Sequence, residues 1–159
     1  MAAYRFLPFA ALLLAASAAH GAAEPAHVGA WTIQPDSEFS CQAVANFGDN
    51  LVVRISEDST GTGSFLISDD RWSLENYGRS PASLSWDGWK NAQNVEFTPA
   101  QLNNGRWVLI METGSWFTES LVDAGHIWLR IPGAGFEEDL AVDDALKLAY
   151  AIVNCNSKH

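Results

Sequence analysis

The sequence predicts an α+β fold: one β-rich domain, built as an antiparallel sheet or sandwich of about seven to nine strands, with a C-terminal helix packed on it. Three features support this prediction. Apolar and polar residues alternate in period two over most of the chain beyond Trp31, as in half-buried strands. Turn dipeptides such as Asp87-Gly88 and Asn104-Gly105 interrupt the alternation. The final segment changes to the apolar spacing of a helix.

The N-terminus has the order of a secretory signal. Arg5 precedes an apolar run from Phe6 to Ala16, and small residues follow. The run of about 11 residues is shorter than the roughly 20 that a membrane-spanning helix needs. These features predict three segments: a signal peptide (1–21), a flexible lead-in (22–29) and a single folded domain (30–159). We expect a periplasmic or secreted protein with no membrane span in its mature form.

In the first half of the domain, period-two alternation predicts strands at residues 30–34, 41–47, 51–56 and 63–68. The turn residues Gly48-Asp49-Asn50 separate the second and third of these strands. We therefore expect a hairpin there.

A second hairpin is predicted around Asp87-Gly88, because Leu84 and Trp86 alternate with serines before it and Trp89 follows it. Trp86 and Trp89 would then face each other as a cross-strand pair. Residues 106–112 are apolar on both faces, which predicts a central strand.

The C-terminal third mixes helices and strands. Residues 115–124 are typical of a short helix with Ser115 as N-cap and Gly125 as C-cap, although their Trp and Phe also suit a strand. Residues 126–131 predict a strand on which Trp128 alternates with His126 and Arg130, away from the apolar residues. Residues 136–142 predict an edge strand protected by three charges: Glu137, Glu138 and Asp139.

Residues 143–155 give the clearest helix signal. Asp143 and Asp144 complement the positive end of a helix dipole. The apolar residues at helical spacing, expected to lie on the sheet, are Val142, Ala145, Leu146, Ala149, Ile152 and Val153.

Cys41 and Cys155 are the two cysteines of the chain. In an oxidising compartment an even pair favours one disulfide, here between an early strand and the last helix. A redox or metal pair is the alternative, but it lacks a C-x-x-C motif and a nearby histidine cluster.

The formal net charge is −10 at pH 7. Binding to nucleic acid or to anionic lipid depends on clustered Lys and Arg, so the acidic balance argues against both. It permits a basic protein partner, because opposite fields steer association. An acidic surface also serves solubility alone.

Tryptophan is the unusual component of the composition, and all seven lie beyond the predicted signal peptide. Exposed tryptophans beside polar groups are typical of sugar-binding and protein-binding surfaces. The candidate binding residues are Trp72, Trp86, Trp89 and Trp128. The alternative is that these rings fill a small core and stabilise hairpins. Trp107 is expected to lie in the core.

Catalytic motifs are absent from the sequence: it has no phosphate loop, zinc signature, calcium loop or nucleophile elbow. We therefore predict no catalytic residue, no cofactor and no metal site. The enzyme alternative is a small cell-envelope hydrolase that uses His126 with an acidic partner.

The C-terminal part of the chain resembles small exported bacterial domains of unknown function, including the C-terminal part of invasion-associated locus B family proteins. An apolar-edged strand at 136–142, an Ala-rich helix from Asp143 and the closing Cys155 carry this resemblance. A Gly expected near the helix start is replaced by Asp143-Asp144.

The function predicted from these features is a non-enzymatic binding module, with an envelope protein or a glycan as partner. It would act as an inhibitor or accessory of an envelope protein. A structural role in the envelope is a further alternative.

Overall fold

A computed structural model describes residues 25–36 and 41–157. The predicted signal peptide (1–21) and residues 22–24 of the lead-in lie outside the described residues. The described strands are β1 (Ala26–Val28), β2 (Trp31–Pro35), β3 (Cys41–Phe47), β4 (Leu51–Glu57), β5 (Gly63–Asp69), β6 (Ser80–Ser85), β7 (Gln93–Gln101), β8 (Trp107–Thr113), β9 (His126–Ile131) and β10 (Phe136–Ala141). The described helices are α1 (Ser115–Leu121), a 3-10 turn (Pro132–Ala134) and α2 (Ala145–Asn156).

The strands form one antiparallel sheet in the order β1-β2-β3-β4-β5-β8-β7-β6-β9-β10. Strands β1 to β5 form a meander, and β6 to β8 return so that β8 pairs with β5. Strand β9 pairs with the other side of β6, and β10 ends the order. The β-rich fold, the central position of β8 and the edge position of β10 are confirmed.

The sheet has ten strands in the described chain, more than the seven to nine predicted. The additional strand is β1, which lies in the segment predicted to be a flexible lead-in. Its residues are small and polar, so their local pattern is weak. They become a strand because Val28 and Ala26 pair with Trp31 and Ile33 of β2.

The sheet curls into a half-barrel. Its two ends approach each other, since a Cβ atom placed on Gly29, in the β1–β2 turn, would lie 3.2 Å from the Cβ of Asp143 just beyond β10. The β3–β4 turn also shares a cleft of about 380 Å³ with Phe136 and Leu140 of β10. The curl therefore encloses the apolar face of the sheet.

Phenylalanines link the sheet to α1 inside this core. The ring centroid of Phe65 on β5 lies 6.2 Å from that of Phe97 on β7 and 5.2 Å from that of Phe117 on α1. All three side chains are buried. Burial of a side chain of this size stabilises the fold by about 1.5–3 kcal/mol.

Helix α2 packs on the first four strands, and the predicted disulfide joins it to β3. The Cα atoms of Cys41 and Cys155 are 5.9 Å apart. The buried stripe of α2 differs from the predicted one, because Leu146 and Val153 are each 48% exposed. The buried residues of α2 are Ala145, Leu148, Ala149, Ile152 and Asn156. The prediction merged two stripes that lie on different sides of one helix.

Both helix starts differ from the prediction. Gly114, not Ser115, is the N-cap of α1, which ends at Leu121 with Val122 as C-cap. Gly125 instead accepts a hydrogen bond from the Val142 amide at 2.9 Å through its carbonyl oxygen. At α2 the N-cap Asp144 has φ +56° and makes no side-chain cap; its carboxylate pairs with Lys147 at 3.0 Å.

None of the helices in the described ranges is long and apolar enough to cross a membrane.

Candidate functional site

Strand β9 has different chemistry on its two faces. Its core-facing residues are Ile127, Leu129 and Ile131. His126, Trp128 and Arg130 alternate with these residues and point to the outer face of the sheet. This is the alternation that the sequence predicts, and it places a histidine, a tryptophan and an arginine in one row.

The neighbouring edge strand adds carboxylates to this row. Glu137 of β10 is directly opposite Arg130, and Asp139 is opposite Trp128. Arg130 donates two hydrogen bonds to Glu137, from Nε at 2.9 Å and from a terminal nitrogen at 2.6 Å. These bonds lower the pKa of Glu137 below its ordinary value. The paired charges hold both side chains in defined positions.

His126 is held between a ring and a carboxylate. Its Nδ1 lies 2.5 Å from Oδ1 of Asp139. Its ring stacks on Trp128 with centroids 4.9 Å apart and planes at 23°. The side chains of His126 and Asp139 remain 44% and 48% exposed. The pair is therefore open to solvent.

The loop between β6 and β7 brings a second tryptophan to the same surface. The guanidinium carbon of Arg130 lies 4.7 Å from the ring centre of Trp89, a cation–π contact. A Cβ atom on Gly88 would lie 3.8 Å from Cζ2 of Trp128, so the loop backbone reaches the edge of that ring.

The backbone of this loop is strained at Trp89. Its φ is +51°, in the left-handed region that bulky residues rarely adopt. The Lys90 amide donates to the Gly88 carbonyl oxygen at 2.6 Å, which closes a three-residue turn around Trp89. Such strain persists where surrounding contacts determine the conformation.

Asp87 supplies these surrounding contacts. Its carboxylate accepts hydrogen bonds from the Asn91 amide at 2.5 Å and from the Ser85 hydroxyl at 2.9 Å. Both bonds lower the pKa of Asp87, so the carboxylate stays ionised. The loop that presents Trp89 is thus tied to the end of β6.

We define the β9 patch by six residues of the outer face: Trp89, His126, Trp128, Arg130, Glu137 and Asp139. This patch is an open surface. Among its six residues, only Asp139 lines one of the larger clefts of the described chain. An open aromatic and charged surface is suited to binding a large partner.

The predicted cross-strand pair of Trp86 and Trp89 is wrong. Residues 86–92 form an irregular loop, and β7 begins only at Gln93. Trp86 turns to the core side, where its ring centroid lies 4.9 Å from that of Phe117. Strands β6 and β7 do pair, but the chain bends through residues 86–89 and turns at Trp89, so the predicted two-residue Asp-Gly turn does not form.

Trp72, the fourth predicted binding residue, lies elsewhere. It packs edge-on against Phe136 with ring centroids 5.5 Å apart. The structure therefore brings together Trp89 and Trp128 and separates them from Trp72 and Trp86.

The acidic partner that the hydrolase alternative requires for His126 is present as Asp139. Among the described residues, no nucleophilic side chain is hydrogen-bonded to the His126 ring. Ser85, opposite Trp128 on β6, is fully buried and donates its hydroxyl proton to Asp87. The described chain also contains no group of three or more His, Cys, Asp or Glu side chains placed to hold a metal ion.

The roles of Glu137 and Asp139 as partners of Arg130 and His126 were not predicted from the sequence. The sequence does contain a feature that predicts this pairing. Pro132-Gly133 ends β9, and the short connection from Ile131 to Phe136 places Arg130 opposite Glu137. Charged residues in that register predict a cross-strand pair.

Comparisons with known proteins support the fold. No family model and no curated protein matches the chain. The fold is similar to the crystal structure of invasion associated protein B from Bartonella henselae, with a TM-score of 0.55 and 13% sequence identity over 86% of this chain and 99% of that chain. The resemblance to this family is thus confirmed in fold, and it extends well beyond the C-terminal segment that indicated it.

Proposed function

We propose that the chain is an exported, non-enzymatic binding module, periplasmic or secreted, whose β9 patch binds a basic protein of a bacterial cell envelope. It would act there as an inhibitor or accessory of that protein. The Cys41–Cys155 bond supports an oxidising compartment, because disulfides persist there and are rare in the cytosol.

The observation that carries the proposal is the strained, immobilised Trp89. Its backbone has φ +51° and its ring is covered by Arg130, which Glu137 holds from the other strand. A tryptophan fixed before binding loses little conformational entropy when a partner covers it. Tryptophan and arginine are also the residues that contribute most at protein interfaces.

Charge favours a basic partner. The chain has a net charge of −10, and β10 exposes Glu137 and Asp139 on the face of the patch. An acidic field speeds encounter with a basic protein and repels a second copy of this chain. This makes a basic partner a better match than self-association.

A glycan is the less suitable ligand, because sugars stack on free ring faces. Trp128 is stacked with His126 and approached by Gly88, and one face of Trp89 is covered by Arg130. A glycan would need to displace these contacts.

The test is a pull-down from envelope extract at low and high salt with three proteins: wild type, the double variant Trp89→Ala/Trp128→Ala and the control Trp116→Ala. Trp116 is a matched control because it is an exposed tryptophan on α1, outside the patch. We expect the wild type and the control to retain a basic partner at low salt and to lose it at high salt, and the double variant to lose it at both. A partner retained by the double variant would exclude the patch, and a partner insensitive to salt would favour a glycan.

The hydrolase alternative rests on one observation, the 2.5 Å contact between His126 and Asp139. Turnover in a panel of hydrolase substrates that is lost in His126→Ala and retained in Trp89→Ala would establish it in place of the binding function.

A further inference from the structure

A cleft between α1 and α2 has a buried carboxylate at its floor. It has a volume of about 270 Å³, and its apolar wall is formed by Val122, Tyr150 and Val153. A second cleft of about 210 Å³ adjoins it, because Glu57 and Val153 line both. We call the two together the Glu57 cleft; it shares no residue with the β9 patch.

Glu57 is the charged group of this cleft. It ends β4 and is only 9% exposed. The Thr118 hydroxyl donates a hydrogen bond to Oε2. Within residues 25–36 and 41–157, no Lys, Arg or His side chain forms an ion pair with it. Its charged neighbours, Asp58 and Glu119, are acidic. A carboxylate in this position lacks the cation that normally accompanies a buried charge.

Asn156 adds a second acceptor without a donor. Its side chain is 8% exposed, and its Nδ2 donates to the Asp58 carbonyl oxygen at 3.5 Å. That bond orients the amide and leaves Oδ1 buried with no partner among the described residues. Buried polar atoms are nearly always hydrogen-bonded, so Oδ1 is an acceptor with unused capacity beside the cleft.

We propose that the Glu57 cleft binds a primary ammonium or guanidinium group carried on a short apolar chain. Such groups present several donors and no acceptor, which matches a site that offers Glu57 and Asn156 as acceptors. The apolar chain would lie on Val122, Tyr150 and Val153. Two sources share this chemistry: a free alkylamine, or a Lys or Arg side chain of another protein. This site is independent of the proposed function of the β9 patch.

The experiment is an amide-resolved NMR titration of the mature protein with n-hexylammonium chloride. We expect saturable shifts at Thr118, Val153 and Asn156, with binding weakened about ten-fold or more in Glu57→Gln, as for loss of a hydrogen bond to a charged group. The control Glu119→Gln removes an exposed carboxylate from the same rim and should change the affinity by less than about three-fold.

Two further ligands complete the test. n-Hexanol has the same chain without the charge and should bind more weakly than n-hexylammonium. The peptide acetyl-Leu-Lys-Leu-amide separates the sources: tighter binding than n-hexylammonium assigns the site to a protein side chain, and weaker binding assigns it to a free amine. The proposal is overturned if n-hexanol binds as well as n-hexylammonium, if no saturable shift occurs, or if Glu57→Gln keeps the wild-type affinity.

Discussion

The Arg130 guanidinium carbon lies 4.7 Å above the centre of the Trp89 ring, although the two residues are 41 positions apart in the chain. The contact joins a loop between β6 and β7 to an outer strand of the sheet. Arg130 reaches the ring while both hydrogen bonds to Glu137 are made. One arginine therefore fixes the position of the loop relative to the edge strand.

A double-mutant cycle measures this contact directly. In the variants Trp89→Leu, Arg130→Met and their combination, we expect a coupling free energy of about 0.5–1 kcal/mol from urea unfolding, the range for an exposed cation–π pair. The same cycle with Trp116→Leu in place of Trp89→Leu should show no coupling. Additive effects of Trp89→Leu and Arg130→Met would mean that the ring and the guanidinium do not interact in solution.

The disulfide should contribute strongly to stability, because it closes a loop with a sequence separation of 114 residues. Replacement of Cys41 and Cys155 by serine should lower the free energy of unfolding by about 2–5 kcal/mol. Thermal or urea unfolding of the oxidised wild type and the double variant checks this. If the two proteins unfold at the same midpoint, the bond does not constrain the unfolded chain as expected.

Local alternation predicted much of the fold and part of the patch. The strand at 126–131 and its outward Trp128 follow from period two alone, because buried and exposed residues must alternate. The disulfide follows from the predicted compartment and the count of cysteines. For Trp89 the same reasoning failed. Its position depends on a hydrogen-bond network at Asp87 and on Arg130, and neither leaves a local pattern.

The Glu57 cleft shows the same limit. Glu57, Thr118 and Asn156 come from β4, α1 and α2, and they come together because α1 packs against α2 and α2 packs against β4. The sequence also does not distinguish the buried stripe of α2 from the exposed one. Leu146 and Val153 are exposed, yet they are as apolar as the residues of the buried stripe. Only contacts between distant segments decide which stripe is buried.

Asp69 should contribute acid-sensitive stability. Its buried carboxylate accepts hydrogen bonds from Arg71 at 2.8 and 2.5 Å, which lower its pKa. With a pKa below that of the unfolded chain, its contribution is complete above the ordinary Asp value of about 3.9 and is lost as the pH falls through the lower folded value. Asp69→Asn should therefore cost about 1 kcal/mol or more at pH 7 and less at pH 3. The control Asp123→Asn, an exposed carboxylate, should show no such trend in urea unfolding, and a cost for Asp69→Asn that is the same at both pH values would contradict the assignment.

Glu57 should behave in the opposite sense. Burial raises its pKa above the ordinary value, with nearby Asp58 and Glu119 acting in the same direction and the Thr118 hydrogen bond opposing them. The folded state then holds the proton more tightly than the unfolded chain. The stability from this group is complete below the unfolded pKa and is lost as the pH rises through the folded one.

Glu57→Gln keeps the shape and removes the charge, so it should match the wild type near pH 4 and be more stable than the wild type at pH 7. The control Glu75→Gln, an exposed carboxylate outside the cleft, should be close to neutral at both. Urea unfolding at the two pH values checks this, and a Glu57→Gln variant that is less stable than the wild type at pH 7 would show that the carboxylate is stabilised by its surroundings.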